Sequence, residues 1–219
     1  MAKDILKKTA KAHTIYKTSE GVRVPGATTI TGLLNKPHLI TWANRLGLEG
    51  VDSTKYRDDA ASIGTLAHAM VQAHLTNEEL DTEQYSPIEL DLASNAVLSF
   101  HEWQKQHRLN VLLCEEPLVS DKYRFGGTID CYCTLDGVPT LLDFKTGKAI
   151  YDEHFVQLSA YKMLLQEHGY TVDQCRILRI GRDETEGFEE RTVTDTSDYF
   201  LIFSSLLDIY YAKRRLKWS

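Results

Sequence analysis

A two-residue turn near the middle of the chain determines how two predicted strands pair with each other. The dipeptide Asp136-Gly137 suits a type I′ hairpin turn, in which both residues take positive φ angles. It is flanked by segments rich in β-branched and aromatic residues, which predict strands over Tyr123–Thr134 and Pro139–Lys145. If these two residues form the loop, the residues on either side of them face each other, and the register of the whole hairpin follows.

The predicted register brings three charged side chains to one face of the hairpin. Asp130 falls directly opposite Asp143, and opposed residues point to the same face with Cβ atoms about 4.5–5.5 Å apart. Lys145 lies two residues beyond Asp143 and therefore points to that face as well. The residues between them are predicted to point the other way, into an apolar layer: Ile129, Cys131, Leu142 and Phe144.

Two carboxylates that face each other repel, so this predicted pair needs an explanation. A divalent cation between them reverses the sign of the interaction, because oxygen ligands suit Mg²⁺ or Mn²⁺. The alternative is that Asp130 and Asp143 are solvated at the sheet ends, with Lys145 as an exposed neighbour. Flanking glycines favour the metal site, because they allow a bulky backbone to approach closely. These glycines are Gly126, Gly127 and Gly147.

The remainder of the chain alternates between helical and strand patterns. Ser86 and Glu89 form a capping-box pattern around Pro87, which predicts the start of a helix that ends near residue 110. Other helices are predicted over residues 29–34, 39–46, 58–75, 152–168 and 195–219. Further strands are predicted over residues 111–120, 174–181 and 188–193, after a short hairpin at 14–28. This order predicts an α/β fold with a mixed central β-sheet flanked by helices.

The composition is that of an ordinary globular protein. Its 219 residues, of which 42% are hydrophobic, supply a sizeable core and exclude a disordered or low-complexity chain. No stretch approaches the roughly 20 apolar residues that span a bilayer, and charges interrupt the N-terminus, so we expect a cytoplasmic protein without membrane association. The net charge of −6 does not indicate a nucleic-acid binder, although local patches stay compatible with one. The basic tail Lys213–Lys217 is expected to be a solvated helix end, with DNA phosphate contact as the alternative.

Four motifs together resemble those of a nuclease superfamily. The segments Gly126–Asp130 and Asp143–Gly147 resemble the core motifs of the PD-(D/E)xK nucleases, specifically the RecB-like exonuclease branch with its phage and mitochondrial-type relatives. Gly64–His68 is similar to the Gly-x-x-x-His motif of that branch, and Gln157–Tyr161 to its Gln-x-x-x-Tyr motif. The motifs occur in the expected order over residues 24–161. The resemblance implies a restriction-endonuclease-like core.

The resemblance also implies roles for individual residues. His68, Asp130 and Asp143 would be metal ligands, together with the backbone carbonyl of Phe144. Catalysis would fall to Asp130, Asp143 and Lys145, where the lysine positions a water or neutralises charge on the phosphate. His68 without this resemblance would be read as a core or boundary residue.

Three further positions carry weaker assignments. Glu115 matches a glutamate before the second core strand, where it could help to hold a metal or a water, although Glu116 could take that place. Gln157 and Tyr161 lie four residues apart on one helical face. The resemblance implies that they contact the DNA backbone or brace the lysine. The alternative is a half-buried face with a solvated hydroxyl.

The chain departs from one subgroup of these relatives in its cysteines. That subgroup holds an iron–sulfur cluster through one early cysteine and three near the C-terminus. Here all four cysteines are central, so we expect small core residues and no iron–sulfur cluster. They are Cys114, Cys131, Cys133 and Cys175.

The predicted function follows from the motifs and their resemblance. We expect one nuclease domain over residues 1–219, with a hairpin and short helices at 1–57, a catalytic core at 58–194 and a C-terminal helix at 195–219. Its activity would be Mg²⁺- or Mn²⁺-dependent hydrolysis of DNA phosphodiester bonds from DNA ends, with single-stranded or end-containing DNA as the partner. The alternatives are a structure-selective endonuclease and, less favoured because no key residue is missing, a module that only binds DNA. A recombination or replication protein is compatible as a partner.

Overall fold

The computed structural model describes residues 14–183 and 185–218, and the backbone of Ile5 and Leu6. The strands are β1 (Ile5–Leu6), β2 (Tyr16–Lys17), β3 (Arg23–Val24), β4 (Glu79–Leu80), β5 (Leu109–Ser120), β6 (Phe125–Leu135), β7 (Val138–Lys145), β8 (Gln174–Ile180) and β9 (Phe188–Val193). The helices are α1 (Ala27–Thr31), α2 (Pro37–Leu48), α3 (Ser53–Thr76), α4 (Pro87–Gln104), α5 (Asp152–Glu167) and α6 (Ser197–Arg215). The parts of the domain prediction that concern residues 1–4, 7–13, 184 and 219 lie outside the described residues.

A five-stranded sheet forms the centre of the fold. Its strand order is β5-β6-β7-β8-β9, in which β7 and β8 run parallel and every other neighbouring pair is antiparallel. The parallel pair requires a crossover, which α5 supplies. The prediction of an α/β fold with a mixed central sheet flanked by helices is confirmed. Of the helices in the described residues, none combines the length and the hydropathy that a membrane crossing requires.

The hairpin of β6 and β7 has the predicted turn and register. Asp136 and Gly137 take φ angles of +51° and +89°, as a type I′ turn requires. Leu135 pairs with Val138, and the ladder continues in step to the pair Cys131–Leu142. The carboxylate of Asp136 also accepts a hydrogen bond from the backbone N–H of Arg108 (2.8 Å), which ties the turn to the start of β5.

Each face of the sheet buries an apolar layer. On one face α1, α5 and α6 pack against Phe125 and Ile129, and on the other α3 and α4 pack against Cys131, Leu142 and Phe144. The prediction that Ile129 shares a layer with Cys131 is therefore wrong. Strand β6 continues beyond its last described pair with β7, and Ile129 lies in that continuation, under α5.

Two helix starts show how local capping acts. Asp52 accepts hydrogen bonds from the backbone N–H groups of Thr54 and Lys55, at 2.8 and 3.1 Å, so α3 begins before the predicted residue 58. Ser86 and Glu89 form the predicted capping box at the start of α4. The Glu89 carboxylate also accepts a hydrogen bond from Ser62, which links α4 to α3.

The four cysteines are free thiols within or beside the sheet. Cys131, Cys133 and Cys175 are buried, and Cys114 is half-buried. Burial raises the pKa of Cys175 to about 12, so this thiol stays protonated at neutral pH. Small buried thiols of this kind pack as apolar side chains.

Candidate active site

A cleft of about 1090 Å³ opens where the central sheet meets α3, α5, α6 and the β2–β3 hairpin. Most of the residues singled out from the sequence line it: His68, Glu115, Asp130, Phe144, Lys145, Gln157 and Tyr161. Asp143 lies behind this lining, almost fully buried. The fold therefore brings together residues from positions 68 to 161, which come from two helices and three strands.

Three possible metal-binding side chains meet on one wall of the cleft. His68 of α3, Glu115 of β5 and Asp130 of β6 each offer a ligand atom, and these atoms all lie within 4.8 Å of one another. Nδ1 of His68 is 3.6 Å from Oδ2 of Asp130. One imidazole and two carboxylates form a donor set that suits Mn²⁺ and also accepts Mg²⁺. These residues fit a divalent cation.

Glu115 reaches this group through an unusual backbone conformation. Its φ angle is +52°, in the left-handed region that a non-glycine residue adopts at a cost of about 1–2 kcal/mol. The ladder pairs on either side, Cys114–Cys131 and Glu116–Ile129, leave Glu115 opposite Asp130. Glu116 is exposed to solvent. Of the two glutamates that the sequence left open, the geometry favours Glu115.

Asp130 lies one residue beyond the last described pair of the β6–β7 ladder. That ladder stops at Cys131–Leu142, one step short of the predicted pair of Asp130 with Asp143. The backbone N–H of Phe144 donates a hydrogen bond to Oδ2 of Asp130 (2.8 Å), so the carboxylate itself bridges to β7. This bond orients Asp130. A ligand role for the Phe144 carbonyl stays a prediction.

Asp143 and Lys145 form a close ion pair at the cleft wall, in which Lys145 lines the cleft and Asp143 lies behind it. Nζ of Lys145 is 2.6 Å from Oδ2 of Asp143, and the two side chains are 19% and 2% exposed. Burial lowers the pKa of Lys145, but the carboxylates of Asp143 and Asp130 outweigh that effect and raise the pKa above its usual value. Lys145 is therefore an ammonium ion at neutral pH. Asp143 is not one of the three residues whose ligand atoms meet within 4.8 Å.

A hydrogen-bonded chain extends from Lys145 along α5. Nζ of Lys145 donates to Oε1 of Gln157 (3.4 Å), and Nε2 of Gln157 donates to Oη of Tyr161 (2.6 Å). Burial and the neighbouring carboxylates raise the pKa of Tyr161 well above its usual value, so its phenol stays neutral. These two hydrogen bonds are compatible with a bracing role, which is one of the two alternatives predicted for these residues. Their contact with DNA stays a prediction.

Glycines allow the close approaches around the site. A Cβ on Gly64 would lie 2.6 Å from Oγ1 of Thr146, so the glycine lets α3 come close to the end of β7. The other flanking glycines differ from expectation. A Cβ on Gly126 or Gly127 would meet the rings of Tyr16 and Tyr161, at 2.3 and 2.5 Å. They therefore make room for tyrosine side chains and not for a bulky backbone.

The cleft is also lined by residues that sequence reasoning did not assign to the site. Arg23 and Tyr16 come from the β2–β3 hairpin, and Tyr210 and Arg214 come from α6. Oη of Tyr16 is 2.9 Å from Oγ1 of Thr128 on β6, a hydrogen bond that holds the hairpin against the sheet. Arg214 belongs to the tail that was interpreted as a solvated helix end. No local pattern distinguishes it from its neighbours, because only the packing of α6 turns it toward the cleft.

Known proteins resemble this chain in structure and not in sequence. No protein-family model matches it, and no curated protein does. A candidate exonuclease from Eubacterium rectale aligns with a TM-score of 0.49 and 9% identity, over 69% of this chain and 65% of that protein. This chain therefore spans slightly less than two thirds of that protein's length.

A second protein also aligns. It is LHK-Exo, an alkaline exonuclease from Laribacter hongkongensis, with a TM-score of 0.37 and 12% identity over 66% of this chain and 79% of the other. Its complex with dAMP aligns at the same TM-score with 13% identity, over 72% and 96% of the two chains. The aligned proteins are named as exonucleases.

Proposed function

We propose that this chain is a metal-dependent deoxyribonuclease that hydrolyses DNA phosphodiester bonds, acting from DNA ends. The observation that carries the proposal is the convergence of His68, Glu115 and Asp130 within 4.8 Å, on the wall of a cleft that Lys145 also lines. A metal-binding group beside a buried ammonium ion suits the hydrolysis of an anionic phosphodiester. The resemblance to RecB-like exonucleases supports an action from DNA ends.

The residues for the cation are His68, Glu115 and Asp130, with Asp143 and the Phe144 carbonyl as further proposed ligands. The cation would be Mg²⁺ or Mn²⁺, and an imidazole among carboxylates favours Mn²⁺ at least as much as Mg²⁺. When bound, it would acidify a water molecule and polarise the scissile phosphate. Cleavage rates measured at equal free concentrations of Mg²⁺ and Mn²⁺ test this preference.

Lys145 supplies a fixed positive charge to the same reaction. Its ammonium group is held by Asp143 at 2.6 Å and by Gln157 at 3.4 Å, so its position is set before substrate binds. A preorganised charge stabilises the negative charge that develops on phosphate oxygens without further reorganisation. Gln157, itself bonded to Tyr161, acts in this proposal as a positioning residue for the lysine.

The cleft also has groups suited to binding a DNA strand. The exposed guanidinium groups of Arg23 and Arg214 can pair with phosphates, and that of Arg214 lies over the ring of Tyr210, 6.0 Å from its centre. Aromatic rings next to cations are typical of surfaces that bind single-stranded nucleic acid. These residues support a strand that runs from α6 toward Asp130.

Substrates of different topology test the proposed function. Purified protein with Mn²⁺ or Mg²⁺ should shorten single- or double-stranded linear DNA labelled at either end, leave a closed circle intact, and lose this activity in EDTA. Cutting of the closed circle would instead show the structure-selective endonuclease. DNA that is retained in a gel but never cleaved with either metal would show a binding module and contradict the proposal.

The two neighbouring glutamates provide a matched test of the proposed metal site. Glu115→Gln should weaken Mn²⁺ binding by about tenfold or more, because the amide removes a charged ligand from the group with His68 and Asp130. Isothermal titration with Mn²⁺ measures this. Glu116→Gln is the control, because Glu116 is exposed and should leave the Mn²⁺ affinity unchanged. Equal effects of the two substitutions would remove Glu115 from the site.

The salt dependence of DNA binding tests the two cleft arginines. The double variant Arg23→Ala/Arg214→Ala should bind a single-stranded oligonucleotide more weakly, and the slope of log affinity against log salt should fall by about 0.7–1 for each lost phosphate contact. Fluorescence anisotropy in EDTA at several salt concentrations measures the slope. Arg215→Ala is the control. Arg215 is exposed and follows Arg214 in the chain, but it does not line the cleft, so the salt slope of this variant should fall less than that of the double variant. Equal slopes for the double variant and the wild type would contradict the prediction.

A further inference from the structure

His154 lies in the first turn of α5, on the wall of the same cleft as Lys145 and Gln157. The backbone N–H of Tyr151 donates a hydrogen bond to Nδ1 of His154 (3.2 Å). An imidazole nitrogen that accepts a hydrogen bond carries no proton. In this geometry the ring is therefore the neutral tautomer whose proton is on Nε2.

The hydrogen bond at Nδ1 leaves the Nε2 edge of the ring for the cleft, which His154 lines. Nδ1 points back to the start of α5, so the opposite edge of the ring, with Nε2, points away from the helix backbone. His154 lines the cleft three residues before Gln157, on the same side of α5. Among the described residues, no hydrogen bond from Nε2 accompanies the one at Nδ1. A neutral donor is thus held beside the lysine and directed at the substrate space.

The electrostatic surroundings keep the ring neutral. Burial and the positive charge of Lys145 lower the pKa of His154 to about 4, and Lys36 acts in the same direction. Glu153 opposes them, but its carboxylate is paired with Lys36 at 2.7 Å. At neutral pH the ring donates one hydrogen bond through Nε2 and adds no charge.

We propose that Nε2–H of His154 donates a hydrogen bond to a phosphate oxygen of the DNA strand in the cleft, and so binds that strand beside Lys145. The assignment rests on the proposed function for the identity of the substrate. Phosphate oxygens are the preferred acceptors, because hydrogen bonds to an ionised acceptor are roughly twice as strong as those between neutral groups. A phosphate contact orients the strand without selecting its sequence. His154 would then be a DNA-binding residue.

Two substitutions separate this contact from the helix-capping bond. In His154→Asn the amide oxygen can replace Nδ1 as the acceptor for Tyr151, but the side chain is too short to donate into the cleft. In His154→Gln the amide nitrogen can replace Nε2 as the donor, while the acceptor for Tyr151 is lost. If the role of His154 is only structural, asparagine should preserve it better than glutamine does. If His154 binds DNA, glutamine should preserve DNA affinity better than asparagine does.

The experiment measures oligonucleotide affinity in EDTA and thermal unfolding for both variants. We expect His154→Asn to weaken binding by about tenfold, equally for single-stranded oligonucleotides of different sequence, and to keep its melting temperature. His154→Gln should bind within about twofold of the wild type and melt at a lower temperature. Wild-type affinity in His154→Asn, affinities that follow the melting temperatures, or a loss confined to one sequence would overturn the proposal.

The outcome is independent of cleavage. A wild-type protein that binds the oligonucleotide but does not hydrolyse it would contradict the proposed nuclease function, while the two variants would still test His154. A wild-type protein that binds no oligonucleotide would overturn the assignment of His154 directly.

Discussion

Asp130→Asn is expected to abolish DNA cleavage while the protein stays folded. Asp130 belongs to the proposed metal-binding group with His68 and Glu115, and it also accepts the hydrogen bond from the N–H of Phe144. Asparagine has the same shape and keeps a carbonyl oxygen for the Phe144 bond, but it carries no charge. The substitution therefore removes a ligand charge without removing the structural contact.

The cleavage rate is expected to fall by about a thousandfold or more. When several residues act as a unit at a reaction centre, removing one of them removes most of the enzyme's activity. Mn²⁺ affinity should fall as well, measured by titration. The melting temperature should stay constant or rise, because the variant carries one negative charge fewer beside Asp143 and Glu115. Asp173→Asn changes an exposed carboxylate outside the cleft and should leave the rate, the metal affinity and the stability unchanged. A near-wild-type rate of Asp130→Asn at saturating Mn²⁺ would exclude Asp130 from the reaction.

Lys145→Met should lower the cleavage rate by about a hundred- to a thousandfold, the loss typical of a removed charge-stabilising group. Methionine keeps much of the length of the side chain but removes the charge and the hydrogen bond to Gln157. Metal binding should be retained or become tighter, because a positive charge near the proposed cation is lost. Single-turnover rates and Mn²⁺ titration on the same protein distinguish these effects. If Lys145→Met keeps the wild-type rate at saturating metal, the role assigned to Lys145 is wrong.

Stability has to be followed in the same experiment, because Lys145→Met leaves Asp143 without this cation. Breaking a buried ion pair by removing one partner costs about 3–5 kcal/mol, and the Asp143 side chain is only 2% exposed. The single variant should melt at a lower temperature and must be assayed below it. The double variant Lys145→Met/Asp143→Asn should regain stability, which would show that the lower melting temperature of Lys145→Met comes from the unpaired Asp143 carboxylate.

The elements that the sequence predicted well are those with local causes. Asp136-Gly137 fixes the β6–β7 turn because both residues tolerate a positive φ, and the register to Cys131–Leu142 follows from that turn alone. The Ser86–Glu89 capping box likewise acts over a single helical turn. The start of α3 was missed, although its cap at Asp52 is also local, because the apolar pattern of that helix begins later than its hydrogen bonds.

Other features depend on contacts between distant segments. The apolar layer that Ile129 occupies depends on where the pairing of β6 with β7 ends. The geometry favours Glu115 over Glu116 because Glu115 itself takes a left-handed backbone conformation within β5. Arg214 and His154 lie at a helix end and a helix start, and neither has a sequence pattern that marks it. Both line the cleft because α5 and α6 pack on the same face of the sheet.

The sequence by itself determined that a hairpin would carry Asp130, Asp143 and Lys145 close together, because a two-residue turn leaves the strands one register. Only the tertiary structure decided how their charges are distributed. Asp143 is buried against Lys145, whereas Asp130 turns to His68 and Glu115, which belong to elements far away in the chain. The free-energy cost of burying a charge is offset only by the groups that pair with it. Tertiary packing, and not local sequence, determines which groups those are.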